Sequence, residues 1–384
     1  MIPLSVPNFE GNEEKYVLDA VGQGWVSTGG AYVDRLEEKI AQYANVPKSV
    51  ACQSGTAALH MSLIECEVGY GDAVIVPTLT FIAAVNPVKY VGAYPIFMDC
   101  DDSLCMDPEK LETFCSQECL FEDGKLVHEG TGRQVKAIVV VHVFGNLANM
   151  ERIMQVAEKF GLKVIEDATE AIGTVCEYGR YKGKMAGSIG ELGAYSFNGN
   201  KIITTGGGGM IIGNNERTMD HLKYMSTQSK DDSHFYIHNE VGFNYRMTNV
   251  QAAIGVAQME ELEEFIKRKH NNYLHYKELL DEDERFHLLE FRQGTRSNKW
   301  FYSLEIKEIK RDIRDIILEL QDAGIQTRPI WGLIHEQKPY RLDYAYDIER
   351  AEYYSKRIIN LPCSTNLTEG DIEKVVEVLK NIRV

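Results

Sequence analysis

The sequence lacks both a long hydrophobic run and a cluster of basic residues. A membrane-spanning helix needs about 18 apolar residues in a row, and the apolar runs here, such as AIVVVHV, are much shorter. The formal net charge is −16, whereas nucleic-acid binding needs clustered Lys and Arg. The segment MIPLSVPNFEGNEEKY lacks the pattern of a secretion signal. We therefore expect a cytoplasmic protein with no membrane contact and no nucleic-acid partner.

The eight cysteines do not form the pattern of a metal site. Cys115 and Cys119 lie four residues apart, but no second pair matches them, as a structural zinc site would require. Cytoplasmic thiols normally stay reduced. The glycine run GGGGM is also not a GxGxxG motif that opens a helix, which argues against a nicotinamide-binding Rossmann enzyme. We expect no bound metal.

The chain of 384 residues is too long for one small core, so we expect two lobes. Residues 50–215 alternate short β-branched runs with longer amphipathic stretches, which predicts an α/β domain with a mainly parallel sheet. We predict a large domain over residues 1–250, with an inserted hairpin near 120–134. A linking helix from Thr248 to Leu280 and a smaller α+β domain would occupy residues 251–384.

Two motifs of the large domain place polar groups where strands end. In SGTAAL a turn of small residues from Ser54 opens a helix, whose free N–H groups and dipole suit a phosphate. In VIED, Asp167 ends an apolar strand, and a pyridinium nitrogen is one partner that would stabilise a carboxylate there. Ordinary helix capping is the alternative for both motifs.

Two further motifs supply a lysine and an aromatic ring. YSFNGNKIITTGGGGM presents Lys201 on a turn after a strand, beside glycines that allow close approach of a ligand. PTLTFIAA places Phe81 after another strand, where its ring could lie against a flat heterocycle. A solvated turn and a core residue are the respective alternatives. The order of phosphate turn, aromatic ring, carboxylate and lysine nevertheless fits one cofactor, pyridoxal 5'-phosphate (PLP), held by Lys201 as a Schiff base.

The chain resembles the PLP-dependent nucleotide-sugar aminotransferases of the DegT/StrS-like group. The matching segments cover nearly the whole chain and include GWVSTGGAYVDRLEEKIAQY, SGTAAL, VIEDATEAIG, YSFNGNKIITTGGGGM and GFNYRMTNVQAAIG. This resemblance implies the fold of type-I PLP enzymes, which is similar to aspartate aminotransferase. It also implies a homodimer with shared active sites.

The resemblance assigns roles to individual residues. Lys201 would carry the cofactor and Asp167 would pair with its ring nitrogen. Asn244 would reach the phosphate bound in the neighbouring subunit. The cofactor-binding set is then Ser54, Gly55, Thr56, Phe81, Asp167, Glu170, Ser196, Lys201 and Asn244.

Two residues near the expected ring, Glu170 and His142, each have more than one expected role. Glu170 stands where many members of this group have Gln or His, and a carboxylate there would repel the phenolate oxygen unless it is protonated or otherwise bonded. His142, in VHVFG, could approach the ring or serve as a hydrogen-bonded residue at a strand end.

The expected reaction moves an amino group from L-glutamate, which becomes 2-oxoglutarate, to C4 of a nucleotide-linked 4-keto-6-deoxy sugar. The resemblance favours a UDP-linked N-acetylated sugar of bacterial glycan or lipopolysaccharide synthesis, with GDP-4-keto-6-deoxymannose (perosamine synthesis) as the alternative. A sugar dehydratase would have His in place of Lys201, and a non-catalytic sensor would not need this lysine. Candidate substrate contacts are Thr28, Arg246, Arg328, Trp331 and His335.

Overall fold

The structure is a computed structural model and describes residues 1–232 and 234–384. Its α-helices follow the amphipathic segments of the sequence. They are α1 Glu13–Gly22, α2 Ala31–Ala44, α3 Gly55–Glu65, α4 Asn86–Tyr90, α5 Pro108–Gln117, α6 Met150–Phe160, α7 Glu216–Ser226, α8 Asn249–Leu280, α9 Ile313–Asp322, α10 Arg350–Ser355 and α11 Glu369–Asn381. None of these described helices is long and apolar enough to cross a membrane.

The strands alternate with these helices through the first half of the chain. They are β1 Lys48–Cys52, β2 Ala73–Pro77, β3 Tyr94–Met98, β4 Cys119–Glu122, β5 Lys125–His128, β6 Arg133–Val141, β7 Lys163–Asp167, β8 Val175–Cys176, β9 Leu192–Ser196, β10 Gly209–Gly213, β11 Lys230–Asp232, β12 Ile237–His238, β13 Phe286–Leu288, β14 Thr295–Arg296, β15 Tyr302–Ile306, β16 Arg328–Pro329, β17 Tyr344–Tyr346 and β18 Ile358–Leu361.

The large sheet has the strand order β1-β10-β9-β7-β6-β2-β3-β17. The pairs from β9 through β17 are parallel, which confirms the predicted mainly parallel sheet. β10 runs antiparallel to both neighbours. It follows β9 through a connection that contains no helix, which is more common between antiparallel than between parallel neighbours. β2 is buried at every position, as expected for a strand covered on both faces.

One edge of this sheet collects the chemically important residues. β1, β2, β6, β7 and β9 all run in the same direction, because the reversed β10 lies between β1 and β9. Their carboxyl ends therefore meet at a common edge, which is where open α/β sheets bind ligands. Asp167 and Ser196 are the last residues of β7 and β9, and the segments that follow β1, β2 and β6 hold Ser54, Phe81 and His142.

The later part of the chain forms an antiparallel sheet in the order β13-β15-β18-β16. α8 leads into this part and begins with a capping box, in which Thr248 and Gln251 each bond the other's backbone N–H. The observed bounds of α8 agree with the helix expected from Thr248 to Leu280. The segment expected to be an inserted hairpin holds β4 and β5, which extend the large sheet beside β6.

The two parts of the chain are joined by backbone pairing at two places. β17, from the late part, pairs with β3 of the large sheet, with Tyr344 opposite Ile96. Near the start of the chain, Ile2 forms a parallel bridge with Ile325. The division at residue 250 remains a prediction, because both ends of the chain cross it.

Candidate active site

A cavity of about 690 Å³ lies at the carboxyl edge of the large sheet. Its wall is built by residues from both parts of the chain. The residues predicted from the sequence that line it are Ser54, Gly55, Thr56, Phe81, Asp167, Glu170, Ser196, Lys201, Arg328 and Trp331.

One end of the cavity is the N-terminus of α3. The Ser54 side chain caps this helix by accepting the Ala57 N–H at 3.1 Å. Gly55 has no room for a side chain, since a Cβ atom there would lie 2.8 Å from Thr169 Cγ2 and 3.1 Å from Ser196 Cβ. The backbone of α3 thus approaches the cavity closely, and its first N–H groups and helix dipole suit an anion.

Asp167 ends β7 in the cavity wall and is buried. Its Oδ1 accepts the Thr169 N–H at 3.1 Å. Burial raises the pKa of Asp167, and the Thr169 bond and the Lys201 charge oppose that rise only in part. A positively charged ligand atom beside Oδ2 would stabilise the carboxylate form.

Lys201 lies on the turn that follows β9. The turn is fixed by the hydrogen bond from Lys201 N to Asn198 O, of 3.0 Å. Only 12% of the Lys201 side chain is exposed, and its Nζ lies 3.6 Å from Glu170 Oε1. The amine and a carboxylate thus share one wall of the cavity.

Glu170 is the second buried carboxyl group of the wall. Its Oε2 accepts the Phe144 N–H at 2.8 Å. Phe144 has a φ of 55°, a left-handed conformation that is costly for a non-glycine residue. Burial raises the pKa of Glu170 to about 7, although Lys201 lowers it. Glu170 can therefore be protonated near neutral pH, which removes the expected repulsion of a phenolate.

His142 forms hydrogen bonds inside the protein and does not line the cavity. Its Nδ1 accepts the Ala148 N–H at 3.2 Å, so the ring N–H is at Nε2. This N–H donates a hydrogen bond to Glu166 Oε2 at 2.8 Å. The second of its two expected roles, a hydrogen-bonded residue at a strand end, is the one the structure supports.

Four predicted residues lie outside the cavity wall of a single chain. Thr28 and Asn244 are exposed on the surface. Arg246 is buried and donates to Glu37 and to the carbonyl of Ala51, because a buried guanidinium needs acceptors. His335 shares a hydrogen bond of 2.6 Å with Thr78 Oγ1. The expectation that Arg246 and His335 face the substrate is thus not met within one chain.

Sequence reasoning missed one prominent wall residue, Trp300. Its ring centroid lies 3.9 Å from Lys201 Nζ. Trp300 is 99 residues from Lys201 in the chain, and the pattern WFYSLEI indicates only a buried strand. No local sequence pattern indicates that Trp300 and Lys201 are in contact.

His335 also belongs to a group of three side chains of the kinds that bind metals. One ligand atom from each of His335, Glu336 and Glu352 lies within 4.8 Å of the others. Both glutamates are exposed, and exposed carboxylates often meet without an ion. The expectation that no metal is bound remains a prediction.

The sequence profile of one protein family matches residues 7–380, which is nearly the whole chain. The chain belongs to the DegT/DnrJ/EryC1/StrS aminotransferase family. As a member of this family it is a PLP-dependent nucleotide-sugar aminotransferase with the fold of type-I PLP enzymes. This confirms the predicted cofactor, enzyme class and fold class.

Several proteins match the chain over nearly its whole length. The GDP-perosamine synthase of Caulobacter vibrioides is 36% identical over 396 residues, covering 100% of this chain and 98% of that protein. The GDP-perosamine synthase of Escherichia coli O157:H7 is 34% identical, covering 98% and 97%. The crystal structure of a DegT/DnrJ/EryC1/StrS aminotransferase from Brucella abortus superposes with a TM-score of 0.85 at 29% identity, covering 96% and 95%.

The cavity of this DegT-family aminotransferase fits PLP by its own geometry. A Cβ at Gly209 would lie 2.5 Å from the backbone carbon of Ser54, so the start of β10 packs directly against the anion-binding end of α3. Asp167 offers a buried carboxylate to a cationic ring nitrogen, and Lys201 supplies an amine in the same wall. Donors for a phosphate, a carboxylate for the ring and a lysine thus surround one space.

We expect Glu170→Gln to change the pH dependence of stability in the cofactor-free protein. The pKa of Glu170 rises from 4.5 to about 7 on folding, so the folded state binds more protons than the unfolded state between these values. Stability contributed by this group is present below pH 4.5 and is lost as the pH rises through 7. The melting temperature of the variant minus that of the wild type should increase from pH 5 to pH 8. A difference that stays constant would contradict the assignment.

Proposed function

We propose that this aminotransferase moves an amino group from L-glutamate to C4 of GDP-4-keto-6-deoxymannose, with Lys201 as the residue that carries PLP. The choice of GDP as the nucleotide is supported by the names of two relatives, since both GDP-perosamine synthases match the chain over nearly its full length. The UDP-linked N-acetylated sugar favoured by sequence motifs has no such support and becomes the second candidate to test.

PLP would lie between α3 and the ends of β7 and β9. The N-terminus of α3, with Ser54, Thr56 and Ser196, would hold its phosphate. Asp167 would keep its ring nitrogen protonated, and Phe81 would lie against the ring. When bound, PLP supplies the electron sink for breaking the bond at the amino-bearing carbon.

Lys201 would also transfer a proton during the reaction. Once its Nζ is free, it lies in the cavity wall and can take up and return the proton that moves during amino transfer. Glu170 lies 3.6 Å away and, with a pKa of about 7, can exist in both protonation states near neutral pH. The pair therefore offers an acid and a base in a largely buried wall.

The sugar nucleotide would enter beside the second lobe. Arg328 and Trp331 line the cavity next to the PLP position. Among the ion pairs formed by the described residues, none involves Arg328, and its Nη1 donates only to the Thr327 carbonyl, at 2.9 Å. A guanidinium with free donors suits a diphosphate, and an indole suits a sugar or a base.

We further propose a homodimer in which Asn244 completes the partner's site. Several large apolar side chains are exposed on this subunit, and a cluster of them flanks Asn244 in the chain. Apolar side chains that are exposed and close together indicate an interaction surface. They include Trp25, Val26, Phe81, Phe235, Tyr236, Ile237 and Val241.

Trapping the cofactor tests the role of Lys201. Purified protein with added PLP should show the absorbance band of lysine-bound PLP, and borohydride should fix PLP on the peptide that contains Lys201. L-Glutamate should convert the band to the pyridoxamine form. Lys201→Ala should abolish both effects, whereas Lys182→Ala, which changes an exposed lysine, should keep them. Trapping on another lysine would refute the assignment, and no band at all would favour a non-catalytic sensor.

The nucleotide can be tested with two sugars in parallel. Loaded with the pyridoxamine form, the protein should return to the PLP form with GDP-4-keto-6-deoxymannose at least about tenfold faster than with the UDP-linked N-acetylated 4-keto-6-deoxy sugar. Stopped-flow absorbance measures both rates in single turnovers. A faster reaction with the UDP sugar would reverse the choice and leave the aminotransferase assignment intact.

Shared sites can be tested by mixing two inactive variants. Lys201→Ala removes the cofactor-bearing amine, and Asn244→Asp would repel the phosphate of the neighbouring site. Co-expressed, the two chains should form heterodimers with one intact site, so activity should return to about a quarter of the wild-type value. Each variant expressed alone is the control. If the mixture stays as inactive as the two variants, Asn244 does not act across a dimer.

A further inference from the structure

The Trp300 ring and the Lys201 amine form a close cation–π contact. The distance from Nζ to the ring centroid is 3.9 Å, well inside the roughly 6 Å limit of this interaction. Both groups are shielded, because Trp300 is 3% exposed and the Lys201 side chain 12%. Shielding from water strengthens such contacts.

Trp300 is held in place by three hydrogen bonds. Its indole N–H donates to the carbonyl of Asn200, the residue before Lys201, at 2.8 Å. Its backbone N–H donates to Asn298 Oδ1 at 3.0 Å. Its carbonyl accepts from Nζ of Lys269, a fully buried lysine of α8, at 3.0 Å. Trp300 thus ties the turn that carries Lys201 to the linking helix and the second lobe.

The other charged groups near Lys201 are Glu170 and Asp167 on the β7 side, while Arg328 lies in the same cavity wall. Glu170 titrates near neutral pH, so its attraction for the ammonium group varies with conditions. The Trp300 ring does not titrate. Its attraction acts on the ammonium form alone.

We infer that Trp300 is a positioning residue, which docks the Lys201 amine against its ring whenever that amine is not bonded to PLP. The docked state would occur in the cofactor-free protein and between the two half-reactions, when the amine must stay close to the cavity. This inference depends on the proposed role of Lys201. The amine would leave the ring as its neutral form, which is the form that attacks PLP.

Fluorinated tryptophans test the contact without changing the fold. Fluorine weakens the negative face of the ring but keeps its shape and its N–H. The sequence has three tryptophans, so Trp25→Phe and Trp331→Phe leave Trp300 as the sole site of incorporation. The cofactor-free protein is mixed with PLP, and the rate of formation of the lysine-bound PLP band is measured from pH 6 to pH 10.

Each added fluorine should lower the pH at which capture of PLP is half-maximal, since the ammonium form loses its partner. The total shift from unsubstituted to trifluorinated tryptophan should be about 0.3 to 1 pH unit. The matched control keeps Trp331 as the sole tryptophan, with Trp25→Phe and Trp300→Phe. Trp331 lines the same cavity but no lysine lies over its ring, so fluorination should leave its midpoint unchanged.

Two results would overturn the inference, and they differ from failure of the proposed function. A midpoint that is the same for all fluorinated forms would show that the ring does not stabilise the free amine. An equal shift in the control series would assign the effect to the cavity as a whole. If borohydride instead traps PLP on another lysine, the proposed role of Lys201 fails first, and the docking inference fails with it.

Discussion

The structure depends on holding two carboxyl groups and an amine in one buried wall. Charges removed from water are costly unless each finds a partner. Asp167 and Glu170 both respond with raised pKa values, and Lys201 lies between the Glu170 carboxylate and an aromatic face. A cofactor with a phosphate, a cationic ring nitrogen and an aldehyde satisfies the unmatched groups together. The preference of this cavity for PLP therefore follows from electrostatics as much as from shape.

The elements that local sequence determines could be predicted well. The linking helix, predicted from Thr248 to Leu280, runs from Asn249 to Leu280, because apolar periodicity and helix caps are local properties. Ser54, Asp167 and Lys201 were predicted from the strands that precede them, and all three line the cavity, while their roles toward a cofactor remain predictions. The family resemblance then supplied their common purpose.

The parts that could not be predicted depend on contacts between distant residues. The reversed direction of β10 requires knowledge of its neighbours β1 and β9, and sequence spacing does not give it. Arg246 was expected to face the substrate, but Glu37, over 200 residues earlier, pairs with it in the core. Trp300 was missed for the same reason. Periodicity indicates which face of an element is buried, not what lies against that face.

The pairing of late residues with early ones has a consequence for how the protein folds during synthesis. β3 receives its outer neighbour only from residues 344–346, and Ile2 pairs with Ile325. During synthesis on the ribosome, the first 250 residues emerge with one sheet edge uncovered and with an unpaired N-terminal segment. Exposed strand edges are prone to aggregation. The earlier part of the chain thus depends on residues 325–346 to cover these segments, and the two parts should reach their native state as one cooperative unit.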